Sequence, residues 1–342
     1  MKSTRWSMES SYARRFLNSP RPLQLVCSDA LFGCSPPLFA AYKTCVDYAL
    51  NLFLFCKDKC LEMPLRQISH LIWSGVIGLL CITFCGHGFA VTTLSFASDN
   101  PKELARTWSE SRVYIPGISG QTHTSLNSLS VDFREGKEGQ FPLIIYLHGC
   151  NGFWWGTAQR ARFFTQLGFA VIAPDSFARH VKPISCVPSK EKGGLHRGVL
   201  LLRQAEAIFS LSRARLLPWV DKNVIILFGF SEGGITVATL SPTQASGVHA
   251  RIIEGWGCHA GWPEYVGINA PAWKAVLTMV ANNDPWFRRP KLQGHCGKFL
   301  KNNESRSVVY KNPPLSTSHG LLDYEVPRQE VVKFLSEIQS KP

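Results

Sequence analysis

From about Pro101 onward the chain alternates short unbroken apolar runs with longer stretches of helical spacing. Leu143 to Leu147, Ala170 to Ala173 and Val224 to Phe228 are continuous apolar runs, the pattern of strands buried on both faces of a parallel sheet. Arg112 to Ile115 and Leu129 to Phe133 read as short leading strands. Arg251 to Glu254, Ala275 to Val280 and Ser307 to Tyr310 read as later ones. Helices are predicted over Ala158 to Leu167, over Gly198 to Leu216 ahead of Pro218, and through Thr236 to Leu240. A closing amphipathic helix runs from Val326 to Ile338, with Val331, Phe334, Leu335 and Ile338 on one face. Strand and helix in alternation predict an α/β fold with a doubly wound, mostly parallel sheet flanked by helices. There is no internal repeat.

The first quarter breaks this pattern. Residues 1–62 mix Ser, Pro, Arg, Cys and aromatics without clean periodicity, and Tyr48 to Cys56 is apolar but too short to span a bilayer. Residues 63–97 have another character: a short basic stretch from Met63 to His70, an apolar run from Leu71 to Cys85, then small residues around Ala90 and Ala97. That order describes a secretory signal peptide. Met63 is therefore read as the start, residues 1–62 as an over-extended reading frame, and the mature protein as beginning near Val91 or Ser98. The alternative is a genuine tail followed by a single membrane anchor. His87 and the Thr92 to Ser95 stretch weaken a spanning helix, so export to the periplasm or outside the cell is the expectation. Residues 101–342 are read as one domain of alternating strands and helices.

Composition narrows the function. Of 342 residues, 45% are hydrophobic and 18% charged, the balance of a folded globular chain. The formal net charge of +13 is scattered, with no run of five basic residues and no nucleic-acid motif, so no nucleic-acid partner is expected. The 11 cysteines show no Cys-x-x-Cys with a matching second pair or His pair, so a zinc site has little support and no metal is expected.

The candidate chemistry centres on Gly229-Phe230-Ser231-Glu232-Gly233, a G-x-S-x-G motif with a buried strand before it and a helix after it. In that setting the serine sits on a sharp turn that lifts its hydroxyl above the sheet edge. A serine needs a base, and the base needs an orienting acid, in the chain order Ser, acid, His. Asp284 lies just beyond the strand ending near Ala281, where the carboxyl edge of the sheet places such groups. Glu254 and Glu264 compete for this role, and Asp284 could simply cap the following turn. His319 lies in the loop after the last strand. His249 and His259 precede the acid, and His295 falls between the acid and that strand. The loop from His148 to Gly152 follows the first buried strand. Its Cys150 N–H, or that of Asn151, together with the N–H of Glu232, would bind a developing oxyanion.

The segments His148 to Gly152, Gly168 to Phe177, Gly229 to Gly234, Asp284 to Trp286 and His319-Gly320, spread over residues 105–340, resemble the dienelactone hydrolase-like branch of the α/β-hydrolases. The resemblance implies a cofactor-free hydrolase acting on a small-molecule ester or lactone. The namesake enzymes carry a cysteine nucleophile where this chain has Ser231, which favours a general esterase. Trp154, Trp155, Trp256 and Trp286, with Phe153 and Trp262, lie in loops beside the site and could line an acyl pocket or pack as core. Arg288 and Arg289 could meet an anionic substrate group. A prolyl-oligopeptidase-like peptidase, an acyltransferase and a non-catalytic binding protein are the alternative readings. After removal of a signal, Cys150, Cys186, Cys258 and Cys296 remain, with three possible connectivities. Cys258 and Cys296 follow strands expected to be neighbours, so they are expected to bond.

Overall fold

The computed structural model describes residues 98–117 and 123–339. Residues 63–97, read from the sequence as a signal or anchor, and residues 1–62 lie outside the described residues. No helix among the described residues is long and apolar enough to cross a membrane.

Seven strands form one sheet: β1 (Arg112–Tyr114), β2 (Phe141–Leu147), β3 (Ala170–Ala173), β4 (Val220–Phe230), β5 (Ala250–Glu254), β6 (Ala275–Ala281) and β7 (Arg306–Tyr310). Their spatial order is β1-β3-β2-β4-β5-β6-β7, with β1 antiparallel to β3 and every other pair parallel. The helices are α1 (Pro101–Ser109), α2 (Val131–Arg134), α3 (Trp155–Gln166), α4 (Val199–Ala214), α5 (Glu232–Thr239) and α6 (Glu325–Gln339).

The unbroken apolar runs have a simple cause. Successive side chains of a strand point to opposite faces. Leu143, Ile145 and Leu147 of β2 join one core cluster with Ile225 and Leu227 of β4, while Ile144 and Tyr146 join the other with Ile226 and Phe228. The first cluster is closed by Trp108 of α1, Ala207 and Leu211 of α4, and Val237 of α5. The second is closed by Phe164 of α3 and Val331, Phe334 and Ile338 of α6. Both faces are covered, so the central strands β2, β3 and the second half of β4 carry unbroken apolar runs. Arg251, buried in β5, is accommodated because its guanidinium donates to the carbonyls of Val237 and Leu240, closing the end of α5.

One predicted element is corrected. Leu129 to Phe133 is not a strand. Ser130 caps the single turn α2, its Oγ accepting from the Phe133 N–H at 3.1 Å, and Phe133 is buried from that turn. A local side-chain cap has overridden the strand propensity of Leu, Val and Phe.

β2 is the switch point of the sheet. The chain leaves it toward β3 on one side, whereas β4 lies on its other side. The helices that follow β2 and β4 pack on opposite faces of the sheet, and a crevice is left at its carboxyl edge. The strand order, the antiparallel β1 and the helices on both faces are those of the α/β-hydrolase fold.

Candidate active site

Ser231 stands at the crevice, between the end of β4 and the start of α5. Its backbone is in a left-handed region, at φ 56° and ψ −116°, which a non-glycine residue adopts only when its surroundings enforce it. The flanking glycines are required by close approach. A Cβ on Gly229 would lie 2.2 Å from the Gly233 carbonyl oxygen, and one on Gly233 would lie 1.9 Å from the Leu147 carbonyl oxygen. The Ser231 N–H donates to the Glu254 carbonyl at 2.8 Å, which ties the turn to β5.

The structure brings Asp284 and His319 to this serine. His319 Nε2 lies 2.9 Å from Ser231 Oγ, and His319 Nδ1 lies 2.7 Å from Asp284 Oδ2. With the imidazole neutral and its proton on Nδ1, the ring donates to Asp284 and accepts from the serine hydroxyl. Asp284 is buried, and its other oxygen accepts from the Trp286 N–H at 3.0 Å, capping the turn Pro285–Phe287. Capping and facing His319 are thus performed by the two oxygens of one carboxylate. Aromatic rings fix the imidazole: Trp286 stacks on it at 5.2 Å, while Phe230 and Phe287 approach from other sides at 5.2 and 5.9 Å.

A cleft of about 660 Å³ opens over Ser231. Trp256, Trp262, Tyr265, Trp286 and Phe287 line it, with Cys150 and Glu232 beside the serine and Arg289 among its outer residues. Trp256 and Trp286 are thus among the lining residues. Trp154 and Trp155 are not: they do not line this cleft. Trp154 packs on Trp155 at 4.8 Å and on Phe230 at 6.0 Å, while Trp155 is 63% exposed. Trp154 is the N-cap of α3 and packs against the core cluster beneath that helix. Asn151 is exposed and also off the cleft, which leaves Cys150 as its counterpart in the loop after β2. Arg288 is exposed and pairs with Glu191.

The residues weighed against Asp284 have other partners. Glu264 pairs at the surface with Arg197. Glu254 is fully buried in a bidentate pair with Arg160, whose Nη1 also reaches Asp323 at 2.9 Å. This network was missed, although a lone acid ending the apolar run of β5 was a signal that a buried cation would meet it.

Under the loop after β2, His148 is fully buried. Its Nδ1 donates to the Gly149 carbonyl at 2.7 Å, and its Nε2 accepts from the Ser176 N–H at 3.2 Å. Burial first, and the adjacent Arg203 second, hold its pKa well below the ordinary histidine value, so it braces this loop as a neutral ring.

Two disulfides brace the walls of the cleft. Cys258 and Cys296 are bonded at 2.06 Å, tying the segment after β5 to the one beyond Asp284. The second bond, Cys150 to Cys186, joins the loop after β2 to the segment before α4. Replacing both Cys258 and Cys296 by serine is expected to lower stability by about 2–4 kcal/mol. Urea unfolding measures this, and an unchanged midpoint would remove the bond from the list of stabilising features.

No family model matches the chain, and no curated relative does. Solved structures resemble it. The ferulic acid complex of Est1E from Butyrivibrio proteoclasticus is 15% identical with a TM-score of 0.45, the match covering 68% of this chain and 96% of that one. A dienelactone hydrolase from Anabaena variabilis is 15% identical with a TM-score of 0.42, over 66% and 90% of the two chains. A dienelactone hydrolase-like promiscuous phosphotriesterase from metagenomic libraries is 19% identical with a TM-score of 0.37, over 67% and 96%. The chain's strand order and the turn at Ser231 are those of the α/β-hydrolase fold.

Proposed function

We propose that this protein is an exported serine hydrolase that cleaves carboxylic ester or lactone bonds through an acyl-enzyme intermediate. His319 takes the Ser231 proton as Oγ attacks the substrate carbonyl. The tetrahedral oxyanion faces the N–H groups of Cys150 and Glu232. Collapse breaks the ester C–O bond, and His319 returns its proton to the leaving alkoxide. Water then attacks the acyl-enzyme with His319 again as base, releasing the acid and restoring Ser231. Asp284 holds the imidazole in the required tautomer and stabilises its charged form. The observation that carries this reading is the pair of contacts, 2.9 Å from Ser231 to His319 and 2.7 Å from His319 to Asp284, at the floor of an aromatic cleft.

The aromatic lining supports an apolar acyl or alcohol group. The two disulfides support an oxidising compartment, in keeping with export. A fluorophosphonate probe should label the purified protein on Ser231, and p-nitrophenyl esters of graded acyl length should be turned over. A protein that neither labels nor hydrolyses any of these esters would be a binding protein on this fold, and the proposal would fall.

A further inference from the structure

Glu232 enters the mechanism above only through its N–H, yet it lines the cleft and its carboxylate accepts from the Ser185 hydroxyl. Ser185 is adjacent to Cys186, and Cys186 is bonded to Cys150. The path from Cys150 through the disulfide, Cys186 and Ser185 to Glu232 therefore begins and ends on the two residues whose N–H groups would hold the oxyanion.

The sheet explains why such a path is needed. Leu147 of β2 stands opposite Gly229 of β4, and Cys150 and Glu232 each lie three residues beyond. The two loops leave the sheet edge side by side and touch: a Cβ on Gly149 would lie 3.4 Å from that of Ser231. Among the described residues no backbone hydrogen bond joins residues 148–152 to residues 231–234. The ladder ends at the strands, and beyond them the spacing of the Cys150 and Glu232 backbones rests on loop packing and on side-chain linkages. Cys186 and Ser185 are both buried, so this linkage is shielded from competing water.

We propose that the Cys150–Cys186 disulfide and the Ser185–Glu232 hydrogen bond form a strap that sets the separation of the two oxyanion-binding N–H groups, making Ser185 and the Glu232 side chain positioning residues for the hydrolysis. This inference rests on the proposed function. The strap acts in the transition state, because the oxyanion needs both donors at hydrogen-bond distance whereas the bound ester does not. Either protonation state of Glu232 can accept from Ser185, so the strap requires an acceptor and not a charge.

The test is kinetic, with p-nitrophenyl butyrate as substrate, butylboronic acid as tetrahedral adduct and butyrate as ground-state ligand. Ser185→Ala and Glu232→Ala should each lower kcat roughly tenfold, since small misplacements of catalytic groups are costly, and leave KM within about twofold. Butylboronic acid should bind more weakly by the same factor as kcat falls, and butyrate should not. Glu232→Gln, which keeps a carbonyl acceptor, should restore kcat to within about threefold of the parent. The double variant should be no worse than Glu232→Ala, because both changes cut one linkage. In a Cys258→Ser/Cys296→Ser background, reducing the Cys150–Cys186 disulfide should lower kcat and boronate affinity together. Thermal melts accompany each variant to establish that it is folded. Unchanged kcat in both single variants, losses confined to KM, or an additive double variant would overturn the strap. A parent protein that neither labels with fluorophosphonate nor hydrolyses esters would overturn the underlying reading, and the strap with it.

Discussion

Replacing Ser231 by alanine is expected to lower ester turnover by roughly 10⁵–10⁶ in kcat, the loss found when a nucleophile that acts as a unit with its base is removed. The fold should be unaffected, because Ser231 holds its place through its backbone: the N–H donates to Glu254, and its carbonyl accepts from Ile235 at 3.0 Å. His319→Ala should cost nearly as much, and the double variant little more, since neither residue is effective alone. Asp284→Asn should leave a measurable residual rate. Its oxygen can still cap the Trp286 turn, but an amide facing Nδ1 favours the wrong tautomer. Single-turnover kinetics with p-nitrophenyl butyrate and loss of fluorophosphonate labelling provide the measurements. Near-parental turnover in Ser231→Ala would sink the mechanism, and loss of activity in His295→Ala with retention in His319→Ala would move the base.

These residues were legible because the constraints on them are local or topological. A serine between two glycines after a buried strand has few conformations, and the close approaches at Gly229 and Gly233 explain why. Asp284 and His319 follow from which loops end at the carboxyl edge of a parallel sheet. What local sequence did not show is the direction in which a loop side chain points. Trp154 and Trp286 both flank a strand end, but one packs over Arg160 and Phe230 while the other covers His319. The bond between Cys150 and Cys186 needed spatial knowledge of the segment before α4, which has no regular element to place it apart from one short turn at Pro188–Lys190. The turn at Val131–Arg134 failed for a different reason: its apolar residues fit a strand, and only the Ser130 cap decides otherwise.

Replacing Glu254 by alanine is expected to destabilise the protein by about 3–5 kcal/mol, because it leaves Arg160 buried with most of its charge uncompensated. Glu254 receives two hydrogen bonds from Arg160, at 2.6 and 2.7 Å, and neither side chain reaches solvent. Asp323 meets only one guanidinium nitrogen, at 2.9 Å, and is partly exposed, so it offsets a fraction of the loss. Glu254 also connects two parts of the site. Its backbone carbonyl accepts from the Ser231 N–H, and its carboxylate accepts from the Leu322 N–H at 2.8 Å, just beyond the loop that carries His319. Activity in Glu254→Ala should therefore fall even at temperatures where the variant is folded, through a looser His319, whereas Ser231 keeps its backbone bond. Replacing Arg160 by methionine together with Glu254→Leu should recover much of the stability, since a buried pair is often no better than packed apolar side chains. Urea unfolding of the two variants separates the effects. A Glu254→Ala midpoint within about 1 kcal/mol of the parent, by the linear dependence of stability on denaturant, would show that water reaches Arg160 and that the network does not hold the His319 loop.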